Sequence, residues 1–320
     1  MDLEARDLAS AGAKRTPYFP PIVVNRAARP TGSRLRVVLL NVAGGHRLSE
    51  VVACLRCPPL RDADLILLCE ADSRTLRSGR LDVASQLAAA LEMSYAYVPE
   101  FGIKVGDGDI IAHLGNAILS RQPIDDVVAV AMPSVRALPL IPGFPSRFTR
   151  VGTPTGLYAS ARFGAQTITL GVAHLNSRCT PAERESQMAS YMAAFPSSGR
   201  AIFGGDLNTT TTELKGLSSL AGVAARMIAS PRRFRAPERF EPLFERMRER
   251  GLEFDGANVE YCPTFTFSGL IPRLMRPKLD WLAVRGVRPV AGTAAVIAPK
   301  RTRLSRRASD HDFVTVDIDL

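Results

Sequence analysis

Residues 64–72 read DLILLCEAD. Five apolar residues in succession, Leu65 to Cys69, predict a strand buried on both faces, because a strand with one wet face alternates polar and apolar side chains. Glu70 follows at once, and a charge at that depth is costly unless it is paired, hydrated or metal-bound. The same arrangement recurs along the chain. RLRVVLLNV (34–42) is an apolar run that carries Asn41 at its end, and TITLGVAHLN (167–176) places His174 at its end. RAIFGGDLN (200–208) ends on Asp206 and Asn208, and its two glycines allow close backbone approach. LDWLAVRGV (279–287) carries Asp280 near its start, and SDHDFVTVDIDL (309–320) leads into a strand from Asp310 and His311. Polar residues thus gather just past strand ends, where open sheets bind ligands.

Between these strands the sequence predicts helices. Glu50 to Leu60 forms a short one stopped by Pro58 and Pro59. Leu81 to Met93 has helical spacing and good helix formers. Pro181 to Phe195 starts from Thr180 as N-cap, with Pro181 at the first position and Glu183 in the first turn. YAYVPEF (95–101) and GNAILSR (115–121) read as strands, LYASARF (157–163) pairs with TITLGVAHLN around a turn at Gly164, and the final segment reads as an edge strand. Residues 1–33, polar with scattered prolines, read as a loosely ordered lead-in to one domain spanning 34–320, and residues 213–256 read as charged helices and loops.

Composition narrows the class. Of 320 residues, 46% are hydrophobic, enough for a large core and too many for a disordered chain. Lys and Arg total 41 against 31 Asp and Glu, a net charge of +10 that suits an anionic partner, although GC-rich coding produces the same arginine excess. Five unevenly spaced cysteines argue against a disulfide framework, and the Cys54-x-x-Cys57 pair lacks the second pair of ligands that zinc requires. With no apolar leader and no run of about 18 apolar residues, the expected compartment is the cytoplasm. No obligate protein partner is implied.

The order LNV, LLCEAD, GNAILSR, VAHLNS, FGGDLN, LDWLAV, SDHD resembles the endonuclease/exonuclease/phosphatase superfamily from about Arg36 onward. That group includes abasic-site endonucleases, pancreatic-type deoxyribonucleases, neutral sphingomyelinases and inositol-polyphosphate 5-phosphatases. The resemblance implies a four-layered α/β/β/α sandwich with two mixed sheets. It also implies hydrolysis of a phosphoester by in-line attack of a water assisted by Mg²⁺ or Mn²⁺. Glu70 matches the family's metal-binding glutamate, with Asn41 beside it touching the metal or a phosphate oxygen, and Asp310 as a further metal ligand, directly at a second site or through water. Asp206 matches the residue that positions or deprotonates the water, and Asn208 the one that holds a phosphate oxygen. His311 matches the histidine at the scissile phosphate, and Asp280 the acid that orients it.

His174 sets the chain apart from abasic-site endonucleases, which carry Asn in the related motif. It matches the sphingomyelinase, 5-phosphatase and deoxyribonuclease pattern, in which a histidine lies near the leaving group. His113, Asn116 and Arg150 are candidate substrate contacts, as are Arg147, Lys300, Arg301, Arg303, Arg306 and Arg307; His46 reads as structural. The expected substrate is therefore a lipid head group or small phosphorylated molecule, with a DNA or RNA strand as the rival. A catalytically inactive binding module is a lesser alternative, and residues 230–250 are a candidate amphipathic helix for a membrane surface.

Overall fold

A computed structural model describes residues 17–30, 32–106, 108–134, 148–177, 179–211, 229–230, 233, 236–266, 276–302 and 305–320. Among them the chain builds two mixed sheets. The larger has the order β1–β4–β5–β3–β2–β14–β12, with β13 also on β14 and β7 also on β4; the smaller runs β11–β10–β9–β8–β6. In the first, β2 (Arg34–Asn41) and β3 (Leu65–Cys69) lie parallel, with β14 (Phe313–Asp319) antiparallel to β2. In the second, β9 (Gln166–His174) and β10 (Arg200–Asp206) lie parallel, and β11 (Asp280–Arg285) is antiparallel to β10. The remaining strands are β1 (Ile22–Val24), β4 (Ser94–Val105), β5 (Ile110–Ser120), β6 (Ile124–Ala131), β7 (Phe148–Gly152), β8 (Thr155–Phe163), β12 (Arg288–Pro289) and β13 (Ala295–Ile297).

Three apolar layers follow from the strand pattern. Alternate residues of the doubly buried strands split between two cores. Leu35, Val37 and Leu39 of β2 and Leu67 of β3 face the other sheet, meeting Leu170, Val172 and Ile202. Val38, Leu40, Ile66 and Leu68 face outward onto helices α1 (Leu48–Leu55) and α2 (Val83–Leu91). The outer face of the smaller sheet packs Phe203, Ala201 and Trp281 against α3 (Pro181–Ala194) and α4 (Leu243–Arg248). The result is the expected α/β/β/α sandwich. No helix among the described residues is long and apolar enough to cross a membrane.

Local signals account for the helices. Thr180 accepts from Glu183 N at 3.2 Å and Glu183 returns the contact to Thr180 N at 2.6 Å, a capping box that starts α3 ahead of Pro181. Helix α2 ends at Glu92, which takes the left-handed conformation (φ 55°). Helix α1 ends at Leu55, short of the prolines.

Three expectations need correction. The closing strand is not an edge: β14 pairs with β2 on one side and with β12 and β13 on the other. Those two neighbours are two and three residues long, too short for periodicity to reveal. Within the lead-in, Ile22–Val24 adds a strand to β4, and Asn25 exchanges hydrogen bonds with Ile124, so this stretch is fastened to the sheet. The amphipathic segment does not present a free apolar face where described, because Leu243, Phe244 and Met247 of α4 are buried in the core. Arg147, Arg303, residues 1–16 and most of 213–235 lie outside the described residues.

Arg184 and Glu241 form an ion pair that lies wholly inside. Arg184 of α3 meets Glu241 through Nη2–Oε1 at 2.6 Å and Nε–Oε2 at 3.1 Å, both side chains fully buried. Glu241 Oε1 also accepts from Thr211 N at 2.6 Å, so the pair ties the loop after β10 to α3. Breaking a buried pair strands the surviving charge. Arg184→Met is therefore expected to lower unfolding free energy by about 3–5 kcal/mol in urea titrations, and adding Glu241→Leu should recover part of that loss.

Candidate active site

The parallel pairs β2/β3 and β9/β10 end at the same rim of the sandwich, and the antiparallel β11 and β14 begin there. Register does the rest. Asp206 lies opposite His174 on one side and opposite Asp280 on the other, so three functional side chains stand abreast. Asn41 lies opposite Cys69, one residue before Glu70. The glycines before Asp206 permit this crowding: a Cβ on Gly205 would lie 2.0 Å from Ala173 O, and one on Gly204 would meet Leu67 of the facing sheet at 2.8 Å. Cys69 links the layers beneath the rim, its thiol donating to Ala173 O (3.6 Å) and accepting from Asp206 N (3.4 Å).

The Asp206 carboxylate is the hub. Its Oδ2 accepts from Asn41 Nδ2 at 2.9 Å and lies 3.6 Å from both His174 Nε2 and His311 Nε2. Asn41 Nδ2 also donates to Glu70 Oε1 at 3.2 Å, while Asn41 Oδ1 accepts from Ala43 N. Asn41 therefore meets the two carboxylates as a donor. His311 Nδ1 donates to Asp280 Oδ2 at 2.7 Å, which fixes the imidazole so that Nε2 faces Asp206. The ring also packs on Phe265 with centroids 4.7 Å apart. Ser309 Oγ donates to Asn41 O (2.7 Å) and accepts from His311 N (3.1 Å), joining the SDHD loop to the end of β2.

Burial sets the electrostatics. It would lower the pKa of His311, but Asp280 and Asp206 outweigh it and raise the value to about 10. Burial likewise opposes protonation of His174, and Asp206, Glu100 and Glu70 reverse the direction to a raised pKa. Asp206 is raised, chiefly by burial, against the lowering influence of His311. Glu70 is held at about 2: burial pushes it up, and His174, Arg77 and Asn41 more than offset that.

The other expected residues divide. Asn208, at φ 48°, donates Nδ2 to Leu175 O (2.7 Å) and its backbone N to Asp206 Oδ1 (3.1 Å). Arg150 lies 3.9 Å over the Phe101 ring, among Glu100 and Glu70, with Nε unpartnered. Asp310 is exposed at the rim, and its Oδ1 accepts from Ser309 Oγ at 3.4 Å. Asn116 is fully buried, donates to Thr155 O, and supports Glu100, so it has no open face for substrate. His113 packs edge-on to Phe19 at 5.0 Å and its backbone pairs with Ser73; no described contact joins it to the Asp206 cluster. His46 is exposed and bonded to Ala43 O. Of the basic run, Arg307 is spent on Ser309 O and Asp312, while Lys300, Arg301 and Arg306 are exposed.

Sequence reasoning missed three residues. Glu100 of β4 is buried with its Oε2 3.8 Å from His174 Nδ1. Arg77 and Asp72 flank Glu70, joined to each other at 2.6 Å. The signals available were a carboxylate inside a strand, YAYVPEF, and a second acid two residues after Glu70.

The sequence model of the Endonuclease/Exonuclease/phosphatase family matches residues 38–311. The chain belongs to that family. Members of the family are metal-dependent phosphoester hydrolases, and this chain is an enzyme of that class. Among solved structures, a family protein from Beutenbergia cavernae is 17% identical, with 90% of this chain and 72% of that one covered and a TM-score of 0.57. TDP2 from D. rerio, complexed with a single-stranded DNA product, is 16% identical over 90% of this chain and 100% of its own, at a TM-score of 0.53. A family protein from Bacteroides thetaiotaomicron is 14% identical over 91% and 96%, at 0.54. At these identities the likeness is one of fold. No curated protein matches the chain.

The family's divalent cation fits the residues present. Glu70, Asp206, Asp280 and Glu100 offer hard oxygen donors, and Asp280 Oδ1 is a buried oxygen with no partner. Asp206, Asp280 and His311 each present a ligand atom within 4.8 Å of the others, although Asp280 and His311 already satisfy one another.

The dyad makes a checkable statement about pH. A histidine whose folded pKa lies above its ordinary 6.5 adds stability that is complete below 6.5 and lost as pH rises through about 10. In metal-free protein, Asp280→Asn should move the His311 NMR titration midpoint well below 10. The stability gap between wild type and variant should be widest under pH 6.5 and shrink toward pH 10.

Proposed function

We propose that this enzyme hydrolyses a phosphoester of an aliphatic alcohol, in a lipid head group or a small phosphorylated molecule, with Mg²⁺ as the cation held by Glu70. The observation that carries this reading is the pair of imidazoles equidistant from one carboxylate: His174 Nε2 and His311 Nε2 each lie 3.6 Å from Asp206 Oδ2. Each is backed by its own acid, Glu100 and Asp280. A site with two such imidazoles can hold the phosphate with one and protonate the departing oxygen with the other.

The roles follow from position. Asp206 takes the proton of the attacking water; burial has raised its proton affinity toward working pH, which improves it as a base. His311, kept protonated by Asp280, donates to a phosphate oxygen. His174 delivers a proton to the alkoxide, which as a poor leaving group needs one. Asn208 and Arg150 hold phosphate oxygens, and Asn41 orients the Glu70 and Asp206 carboxylates beside the cation. Glu70 stays ionised throughout and binds the cation, with Asp310 at the rim as an outer contributor. When bound, the divalent cation supplies neutralisation of phosphate charge. The five free cysteines suit a reducing compartment, and we place the enzyme in the cytoplasm.

The net charge of +10 favours a second reading, hydrolysis of DNA or RNA. A panel of phosphocholine lipids, inositol phosphates and oligonucleotides assayed with Mg²⁺ separates the two. Turnover of oligonucleotides alone, abolished in Asp206→Asn, would establish the nuclease and overturn the first proposal.

The acid role of His174 has its own signature. His174→Ala should lose about 10²–10⁴-fold in rate on an alkyl phosphodiester. It should lose far less on bis-p-nitrophenyl phosphate, whose leaving group departs without a proton. Equal losses on both would mean that His174 acts elsewhere in the reaction.

A further inference from the structure

We propose that Arg77 holds the place of a second cation beside Glu70, so that the centre takes a single divalent ion. The inference rests on Glu70 being a metal ligand.

Arg77 stands in the polar loop after β3, yet its guanidinium is fixed from three sides. Nε and Nη2 donate to the two oxygens of Asp72, at 2.6 and 2.9 Å, the forked geometry that suits guanidinium to carboxylate. Asp72 is fully buried and is braced by Thr75 Oγ1 at 2.7 Å. The same Nη2 reaches Glu70 Oε2 at 3.2 Å. The two oxygens of Glu70 therefore face different ways: Oε1 toward Asn41 and the Asp206 cluster, Oε2 toward Arg77.

The loop after β2 is shaped to admit this guanidinium. Gly44 adopts φ +70°, and a Cβ there would lie 2.1 Å from Arg77 Nε. The Gly44 N–H also donates to the Glu70 backbone carbonyl at 3.0 Å, so one turn anchors the Glu70 main chain and seats the counter-charge of its side chain.

Glu70 and Asp72 are two carboxylates converging on one position. Without the guanidinium, that pair is a ligand set for a hard cation. With it, the position is filled by a charge that cannot be deprotonated or washed out. Glu70 is left one oxygen, Oε1, for the catalytic ion. The Arg77 side chain remains 41% exposed, so it can also share in neutralising the phosphate from the side away from that ion.

Titration with Mn²⁺, following the electron paramagnetic resonance signal of the free ion, tests this without reference to turnover. Wild type is expected to bind one Mn²⁺ per chain, Arg77→Ala two, and Arg77→Lys, which keeps the charge, one. Should Arg77→Ala fail to fold by circular dichroism, Arg77→Gln keeps a neutral donor for Asp72 without the charge at Glu70, and is expected to bind the second ion. Two ions in wild type, or one in both Arg77→Ala and Arg77→Gln, would overturn the proposal while leaving the metal centre intact. Undiminished binding in Glu70→Gln, or none in wild type, would instead remove the metal assignment of Glu70 and this inference with it.

Discussion

Four carboxylates, Glu70, Glu100, Asp206 and Asp280, meet at one rim of the sandwich, the last three buried from water and Glu70 with its side chain 31% exposed. Like charges so placed repel strongly, and a fold can keep them together only by fixing positive charge and donors among them. That is the constraint behind the rest of the site. It raises the pKa of both imidazoles, Asn41 spends both contacts of its amide nitrogen on it, and Arg77 is clamped against it. The strained backbone fits the same logic, since Glu70 and Asn208 both adopt positive φ next to the cluster.

The sheets supply what side chains cannot. Both parallel pairs terminate at the same rim, and Gly204 and Gly205 let the strand that carries Asp206 approach its neighbours closely. Because Asp206 is in register with His174 and Asp280, the spacing of the three is fixed by backbone hydrogen bonds rather than by rotamers. Preorganisation of this kind is what electrostatic catalysis demands, as charges placed before reaction cost nothing to reorient during it.

Much of this was legible in the sequence. Doubly buried strands announce themselves as apolar runs, and Asn41, Glu70, His174 and Asp206 stand out as the polar residues that close such runs, whereas Asp280 and His311 precede theirs and are picked out by the family resemblance. Other features depend on contacts that no local pattern encodes. Glu100 looked like a strand residue because its partner, His174, is on the other sheet. Arg77 is one of several arginines in a polar loop, and only the approach of Gly44 and the burial of Asp72 single it out. Asn116 and His113 lie near a motif that suggests substrate, and the contacts described for them point elsewhere: one is buried against Glu100 and the other packs on Phe19.

Crystals soaked in Mn²⁺ and measured for anomalous scattering test the central claim most directly. The account predicts a peak ligated by Glu70, with the Asp280–His311 hydrogen bond still in place. A peak ligated by Asp280 and His311 with that bond broken, or no peak at the rim at all, would contradict it.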